Sequence, residues 1–139
     1  MGDFSKHLGF YIQEIARKTT IELNKRLKGY NLCYAQFRVI NTLFKKGDLS
    51  QKEILKYIIV KPSTLSSSIK KLEKKGFVEK KLDSKDKRIK KIILSEKGRK
   101  IYKNIWQEIL DFEKETTDHI PKDERKMMLK YLKAMNKKL

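Results

Sequence analysis

A closely spaced series of helix start and stop signals in the middle of the chain limits the fold more than any other feature of this sequence. Ser50 and Glu53 have the spacing of a capping box, in which each side chain binds the other residue's backbone N–H at the start of a helix. Pro62 suits the first position of another helix because its missing N–H needs no partner there, and Gly76 is a typical residue beyond a helix end. The sequence therefore predicts a short helix, a tight turn and a second helix that runs from Pro62 to about Lys75. The short helix is expected to carry Ile54, Leu55 and Ile58 and to end before Val60.

Apolar residues with the spacing of one helix face precede this pair of helices. They predict a long first helix from Leu8 to near Gly29, and a second helix from about Tyr34 to Lys46 that Gly47 ends. The stripe of the first helix consists of Leu8, Ile12, Ile15, Leu23 and Leu27.

A hairpin and two further helices are predicted after Gly76. The segments 77–81 and 89–94 have the composition of strands, and they flank a charged tip from Leu82 to Arg88. Ser95 caps a fifth helix that runs to about Thr117, and Pro121 opens a sixth. The sixth helix carries an apolar stripe of Met128, Leu132, Met135 and Leu139. This order of elements fits a winged helix-turn-helix, a mostly α fold with six helices and a small β-hairpin wing.

Length and composition narrow the classes of function. The 139 residues suit one domain, and 35 Lys and Arg against 17 Asp and Glu give a formal net charge of +18, which favours a polyanionic partner such as nucleic acid. A lysine-rich proteome would raise the charge as well, so the position of the charge has to decide. The single cysteine and two distant histidines form no metal site, and no cofactor is expected. Without a membrane-length apolar run or a signal-peptide pattern, a cytoplasmic protein is expected.

The positive charge is concentrated in the predicted helix-turn-helix and hairpin. Residues 61–100 contain 15 Lys or Arg and 5 Asp or Glu, a net charge of +10. On the helix that begins at Pro62, one face is apolar, with Leu65, Ile69 and Leu72. The opposite face suits the major groove, because hydroxyls near a helix N-terminus can donate to phosphates and bases. This face consists of Ser63, Ser67, Lys70 and Lys74; a merely solvated surface is the alternative interpretation.

The hairpin tip forms a second basic surface, with lysines that can contact phosphates. Arg88 is the candidate for insertion into the minor groove. Asp86, two residues earlier, is placed to hold the Arg88 guanidinium, and Asp83 is interpreted with it as a wing-supporting residue. The alternative interpretation of these charges is that the hairpin tip is merely a solvated turn. The predicted DNA-binding residues are Gln51, Lys61, Ser63, Thr64, Ser66, Ser67, Lys70, Lys71, Lys74, Lys85, Lys87 and Arg88.

Four linked motifs resemble the MarR family of transcriptional regulators over about residues 30–100. In chain order they are similar to the start of the family's DNA-binding core, its recognition helix and the exit from it, its wing, and the return into the next helix. They are LCYAQFRVI (32–40) with GDLSQKEI (47–54), PSTLS (62–66) with LEKKGFV (72–78), DSKDKR (83–88) and ILSEKG (93–98). Two positions depart from the family pattern: Ser67 stands where many members carry an arginine, and Lys87 where arginine is common.

The resemblance implies a homodimer in which the first, fifth and sixth helices interlock. It divides one continuous domain into an N-terminal dimerisation helix (1–31), a winged helix-turn-helix DNA-binding lobe (32–98) and C-terminal dimerisation helices (99–139). The apolar stripes at both ends of the chain also favour a dimer, because a chain without a partner would expose them as a large apolar patch. A twofold dimer would bind a pseudo-palindromic operator on double-stranded DNA.

The resemblance further implies a pocket between the DNA-binding lobe and the dimerisation helices, where a small aromatic or phenolic effector releases DNA. The candidate lining residues are Tyr11, Arg17, Tyr30, Tyr34 and Phe37, with core packing as the alternative for each aromatic residue. Cys33, just before the second helix, is either a redox-sensing thiol or a small packing residue.

The sequence features bear on three classes of function. A sequence-specific regulator, expected to be a repressor, would bind one operator tightly and with salt-dependent affinity. A non-specific architectural DNA-binding protein suits the high net charge as well and is the alternative. An enzyme is not expected, because the sequence has no nucleophile–base pair, metal cluster or phosphate-binding glycine loop.

Overall fold

Six helices and a two-stranded antiparallel hairpin make up the computed structural model, which describes residues 2–139. The helices are α1 (Leu8–Leu27), α2 (Tyr34–Lys46), α3 (Gln51–Ile54), α4 (Pro62–Lys74), α5 (Glu96–Thr117) and α6 (Lys122–Lys137), and the strands are β1 (Val78–Leu82) and β2 (Lys90–Leu94). Short 3-10 helices lie at Phe4–Lys6 and Lys28–Tyr30. The predicted mostly α fold with a hairpin wing is confirmed. The chain separates within α5 into two compact units, one that ends at Trp106 and one of Gln107–Leu139.

The core of the first unit is aliphatic and includes the predicted inner face of α4. Leu65, Ile69 and Leu72 of that helix are buried, as its sequence pattern predicts. Full burial of an aliphatic side chain is worth roughly 1.5–3 kcal/mol, so this face holds α4 firmly against the rest of the unit. The other fully buried side chains are Leu27, Val39, Ile40, Leu43, Ile54, Val78, Ile92 and Ile105.

The helix-turn-helix contains a shorter first helix than the sequence predicts. After Ile54 the backbone tightens, because the N–H groups of Lys56 and Tyr57 bind carbonyls only three residues earlier. The β-branched run that follows disfavours a helix, and Pro62 holds Lys61 in an extended conformation with ψ of 143°. The expected end before Val60 is therefore reached by turns, while Ile54 and Ile58 are both buried.

In the hairpin, β1 is shifted by one residue from its predicted bounds, and β2 begins one residue later than predicted but ends at the predicted Leu94. Val78 pairs with Leu94 and Leu82 with Lys90, so Leu82 belongs to β1 rather than to the tip, which spans residues 83–89. A further backbone pairing joins Leu49 to Ile92, whose N–H donates to the Leu49 carbonyl at 2.7 Å. This bridge ties the hairpin to the connection between α2 and α3.

Positive φ angles occur where the sequence predicts that helices stop. Gly47 and Gly76, which follow α2 and α4, have φ of 86° and 82°. The first helix stops at Leu27, two residues before the predicted Gly29, and a 3-10 turn then leads to Asn31 with φ of 58°. Asn is one of the few other residues that tolerate this conformation.

Apolar side chains remain exposed at both ends of the chain. In α1, Leu23 and Leu27 are buried, whereas Leu8 and Ile15 are 74% and 61% exposed. The predicted stripe of the sixth helix is also exposed: Met128, Leu132 and Met135 lie in α6, and Leu139 lies beyond its end at Lys137. Pro121 caps α6 from outside rather than starting it, and its carbonyl accepts from the Arg125 N–H. Among residues 2–139, no helix is both long enough and apolar enough to span a membrane.

Candidate nucleic-acid interface

The outer face of α4 presents hydroxyls and then lysines. Ser63, Ser67, Lys70 and Lys74 are all exposed, on the side of the helix away from its buried leucines and isoleucine. Lys61 precedes the helix and supplies no side-chain cap, so the N-terminal N–H groups keep their capacity to bind an anion. The other predicted contacts on this helix, Thr64 and Lys71, are exposed too.

Two predicted DNA contacts instead bind each other. The Gln51 side-chain amide donates to the Ser66 hydroxyl at 2.9 Å, and both residues are half-buried. The bond joins α3 to α4 and helps to fix the angle between the two helices of the motif. Gln51 and Ser66 thus have a structural contact that the hypothesis of base readout did not include.

Asp86 holds the Arg88 guanidinium at the wing tip. Arg88 Nε lies 3.0 Å from Asp86 Oδ1 and Nη2 lies 3.1 Å from Oδ2, while the Arg88 backbone N–H also donates to Oδ1. The hydrogen bonds from Arg88 lower the pKa of the Asp86 carboxyl, and in return the carboxylate raises the pKa of the guanidinium. Because the Arg88 side chain is 90% exposed, a fixed and charged guanidinium is presented to solvent.

Asp83 closes the tip by hydrogen bonds to and from the backbone. Its carboxylate accepts from the Asp86 N–H at 3.2 Å, and its own N–H donates to the Ile89 carbonyl at 2.8 Å. Lys85 and Lys87 project from this closed loop, are exposed, and form no ion pair within the described part of the chain. The tip therefore combines an ordered backbone with two lysines that no carboxylate of the described chain neutralises.

An ion pair that the sequence did not reveal ties the wing to α3. Glu53 Oε1 accepts from the Ser50 N–H at 3.1 Å, which completes the predicted capping box, and from Lys91 Nζ at 2.6 Å. The hydrogen bond from Lys91 is the main reason that the pKa of Glu53 falls to about 2. A longer contact of 4.0 Å joins Lys80 of β1 to Glu73 of α4. Glu53 and Lys91 lie 38 residues apart, and no local pattern marks such a pair.

The five candidate pocket residues do not line one cavity within a single chain. Phe37 is 2% exposed and stacks on Tyr102 with 5.7 Å between ring centroids, so it packs in the core. Tyr11 lies in the first turn of α1, whereas Tyr30 follows its last turn, and roughly 28 Å of helix axis separate them. Arg17 is exposed between them, and Tyr34 is half-buried at the start of α2.

Cys33 is half-buried near the C-terminal end of α4, to which Gln36 and Lys75 connect it. Its backbone N–H donates to Gln36 Oε1 at 3.2 Å, and the same oxygen accepts from Lys75 Nζ at 3.3 Å. Lys75 also donates to the Asn31 carbonyl at 2.5 Å, which ties the C-terminus of α4 to the connection between α1 and α2.

Residues 2–139 contain no group of three or more His, Cys, Asp or Glu that could hold a metal ion.

Proteins of known family are similar to this chain in sequence and in fold. A sequence model of the MarR family matches residues 32–90. YwoH of Bacillus subtilis, an uncharacterized HTH-type transcriptional regulator, is 33% identical over 115 residues, which cover 83% of each chain. The crystal structure of the transcriptional regulator SlyA has a TM-score of 0.85 at 27% identity and matches 92% of this chain and 90% of that one. The MepR–DNA complex of S. aureus has the same TM-score at 20% identity, over 96% and 98% of the two chains. The chain therefore belongs to the MarR family of helix-turn-helix transcriptional regulators.

Proposed function

We propose that this chain is a homodimeric repressor that binds a pseudo-palindromic operator on double-stranded DNA. The observation that carries the proposal is the exposed face of α4, with its N-terminal hydroxyls and following lysines, beside a wing that presents a fixed arginine. An α-helix fits the major groove, and an arginine at a loop tip fits the narrower minor groove. The two surfaces would contact one duplex together.

The interface residues divide by the contacts that they have available. Ser63, Thr64 and Ser67 are the candidates for contacts to base edges, because short side chains near the start of α4 permit close approach. The exposed cations would bind phosphates: Lys61, Lys70, Lys71, Lys74, Lys85 and Lys87. Gln51 and Ser66 would support α4 through their mutual hydrogen bond.

Dimerisation through segments 1–31 and 99–139 would cover the apolar residues that a single chain exposes. These include Leu8 and Ile15 of α1, and the stripe of α6 that contains Leu132 and Met135. Exposed apolar surface of this extent marks an interaction site in soluble proteins. A twofold interface uses the same surface on both chains and would place two α4 helices in successive major grooves.

We further propose that a small aromatic or phenolic effector binds the protein and releases it from DNA. Tyr11 and Arg17 of the first helix, with Tyr30 and Tyr34 at the connection to α2, are the side chains that would contact it. Because Tyr11 and Tyr30 lie far apart within one chain, we infer that the pocket between the DNA-binding lobe and the dimerisation helices would combine side chains from both chains. Phe37 would support the pocket from the core rather than line it.

A mobility-shift titration tests the proposal, with the DNA upstream of the protein's own gene and a scrambled duplex of the same length and composition. Each is titrated at several salt concentrations, because affinity for any DNA falls steeply with salt. We expect at least about a thousandfold tighter binding to the upstream DNA at physiological salt, and reduced transcription from that promoter in vitro. Equal affinity for both duplexes would identify an architectural DNA-binding protein instead.

A further inference from the structure

Lys91 forms a much closer ion pair within the protein than Lys80, the other described hairpin lysine with a carboxylate in reach, whose contact with Glu73 is 4.0 Å long. Its ammonium lies 2.6 Å from the Glu53 carboxylate, and Asp83 and Asp48 also favour its charged form. In the hairpin register Lys91 lies opposite Lys81, and two like charges in that position repel. The negative charge of Glu53 offsets this repulsion, so the Lys91 ammonium is already paired with a carboxylate of the protein.

Glu53 occupies a central position between the elements that would contact DNA. Its carboxylate is held at the start of α3 by the Ser50 N–H, and its other bond reaches β2 of the wing. Two residues earlier, Gln51 joins α3 to Ser66 on α4. The single turn of α3 therefore connects the wing on one side with the recognition helix on the other.

Buried side chains and a backbone bridge hold the base of the hairpin. Val78, Ile92 and Leu94 are buried, and Ile92 exchanges two backbone hydrogen bonds with Leu49. The Glu53–Lys91 contact adds a further point of attachment to α3, one residue along β2 toward the tip. This point helps to set the direction of the wing, and a wing that is already oriented loses less conformational freedom when it binds.

We propose that Glu53 and Lys91 are positioning residues for DNA binding, which set the wing against the recognition helix and make no phosphate contact themselves. This inference rests on the proposed function, in which α4 and the wing contact the same duplex. It assigns Lys91 a different role from Lys87, although both lie in the same basic hairpin.

The test compares Glu53→Gln, Lys91→Gln, their combination and Lys91→Arg with Lys87→Gln as the reference for a phosphate contact. Glutamine at 53 retains an oxygen for the Ser50 N–H, so the helix cap is kept while the charge is lost. For each protein the dissociation constant for the upstream duplex is measured against salt. Amide hydrogen exchange at Ile92, whose N–H binds Leu49, reports on the attachment of the wing without DNA.

We expect Glu53→Gln and Lys91→Gln each to weaken binding by about two- to fivefold, with the double variant no worse than either. The steepness with which the logarithm of the binding constant falls against the logarithm of the salt concentration should stay unchanged for Lys91→Gln. For Lys87→Gln this salt slope should be smaller by about 0.9. Exchange at Ile92 should quicken in both single variants, while Lys91→Arg keeps the pair and should resemble the wild type.

Tighter binding by Glu53→Gln would overturn the inference, because it would mean that a freed Lys91 reaches phosphate. A salt slope for Lys91→Gln that falls as far as that of Lys87→Gln would do the same. Failure of the proposed function would look different from failure of this inference. In that case the wild type itself would not prefer the upstream duplex, whether or not the variants change the exchange rate at Ile92.

Discussion

Gly98, in the first turn of α5, is the residue for which the structure predicts the most specific loss of stability. A Cβ at this position would collide with the Phe77 carbonyl oxygen and lie 2.5 Å from Leu94 Cδ1. Carbon atoms pack at about 3.5–4.0 Å, so Leu94 would have to move by roughly 1 Å within the core. The Phe77 carbonyl cannot turn aside without losing the hydrogen bond that it accepts from the Ser95 N–H at 3.0 Å.

The expected cost of Gly98→Ala follows from these contacts. Overpacking of a core costs about 1–3 kcal/mol, and a lost hydrogen bond adds about 1 kcal/mol. The better helix propensity of alanine returns up to about 1 kcal/mol, which leaves a net destabilisation of about 1–4 kcal/mol. Urea unfolding at fixed protein concentration should show a lower midpoint with an unchanged m-value.

Gly29→Ala is the matched control for that measurement, because a Cβ at Gly29 meets nothing within 4 Å and the backbone there is not left-handed. Its free energy of unfolding should differ from that of the wild type by no more than about 0.5 kcal/mol. If Gly98→Ala proved as stable as Gly29→Ala, the close approach of α5 to the α4–β1 connection would be refuted.

Three further predictions concern DNA binding, pH and assembly. Arg88→Ala should weaken operator binding by about tenfold and leave the dimer intact, as gel shift and sedimentation would show; unchanged affinity at physiological salt would contradict the role of the wing tip. Since the pKa of Glu53 lies at about 2 in the folded chain against an ordinary 4.5, its ion pair stabilises the fold above the ordinary value and is lost as pH falls between the two. The excess stability of wild type over Glu53→Gln should therefore shrink between about pH 7 and about pH 2.5, and a constant difference would argue against the pair. Leu132→Glu should dissociate the dimer in sedimentation experiments, whereas Lys130→Glu, on the same helix but outside its apolar stripe, should not.

The sequence predicted those elements whose limits are set by nearby residues. The capping box at Ser50, the first-turn position of Pro62 and the left-handed Gly76 all act within one helical turn, and each has its predicted role. The inner face of α4 was predictable for the same reason, since helix periodicity alone decides which residues share a face.

Contacts between distant residues were not predictable from the same patterns. The pairing of Leu49 with Ile92 has no local signal in the sequence. The partners of Glu53 and Phe37 lie far along the chain, so an acidic residue with an evident cap role also anchors the wing, and an aromatic pocket candidate lies in the core.

Selection of bound sequences from a random duplex library would show whether two α4 helices of a homodimer read successive major grooves. We expect enriched sites with two inverted half-sites whose centres lie about 10 base pairs apart. We also expect Ser67→Ala to change the preferred bases within each half-site. Absence of enrichment, or a single asymmetric site without a repeated half, would contradict this mode of binding.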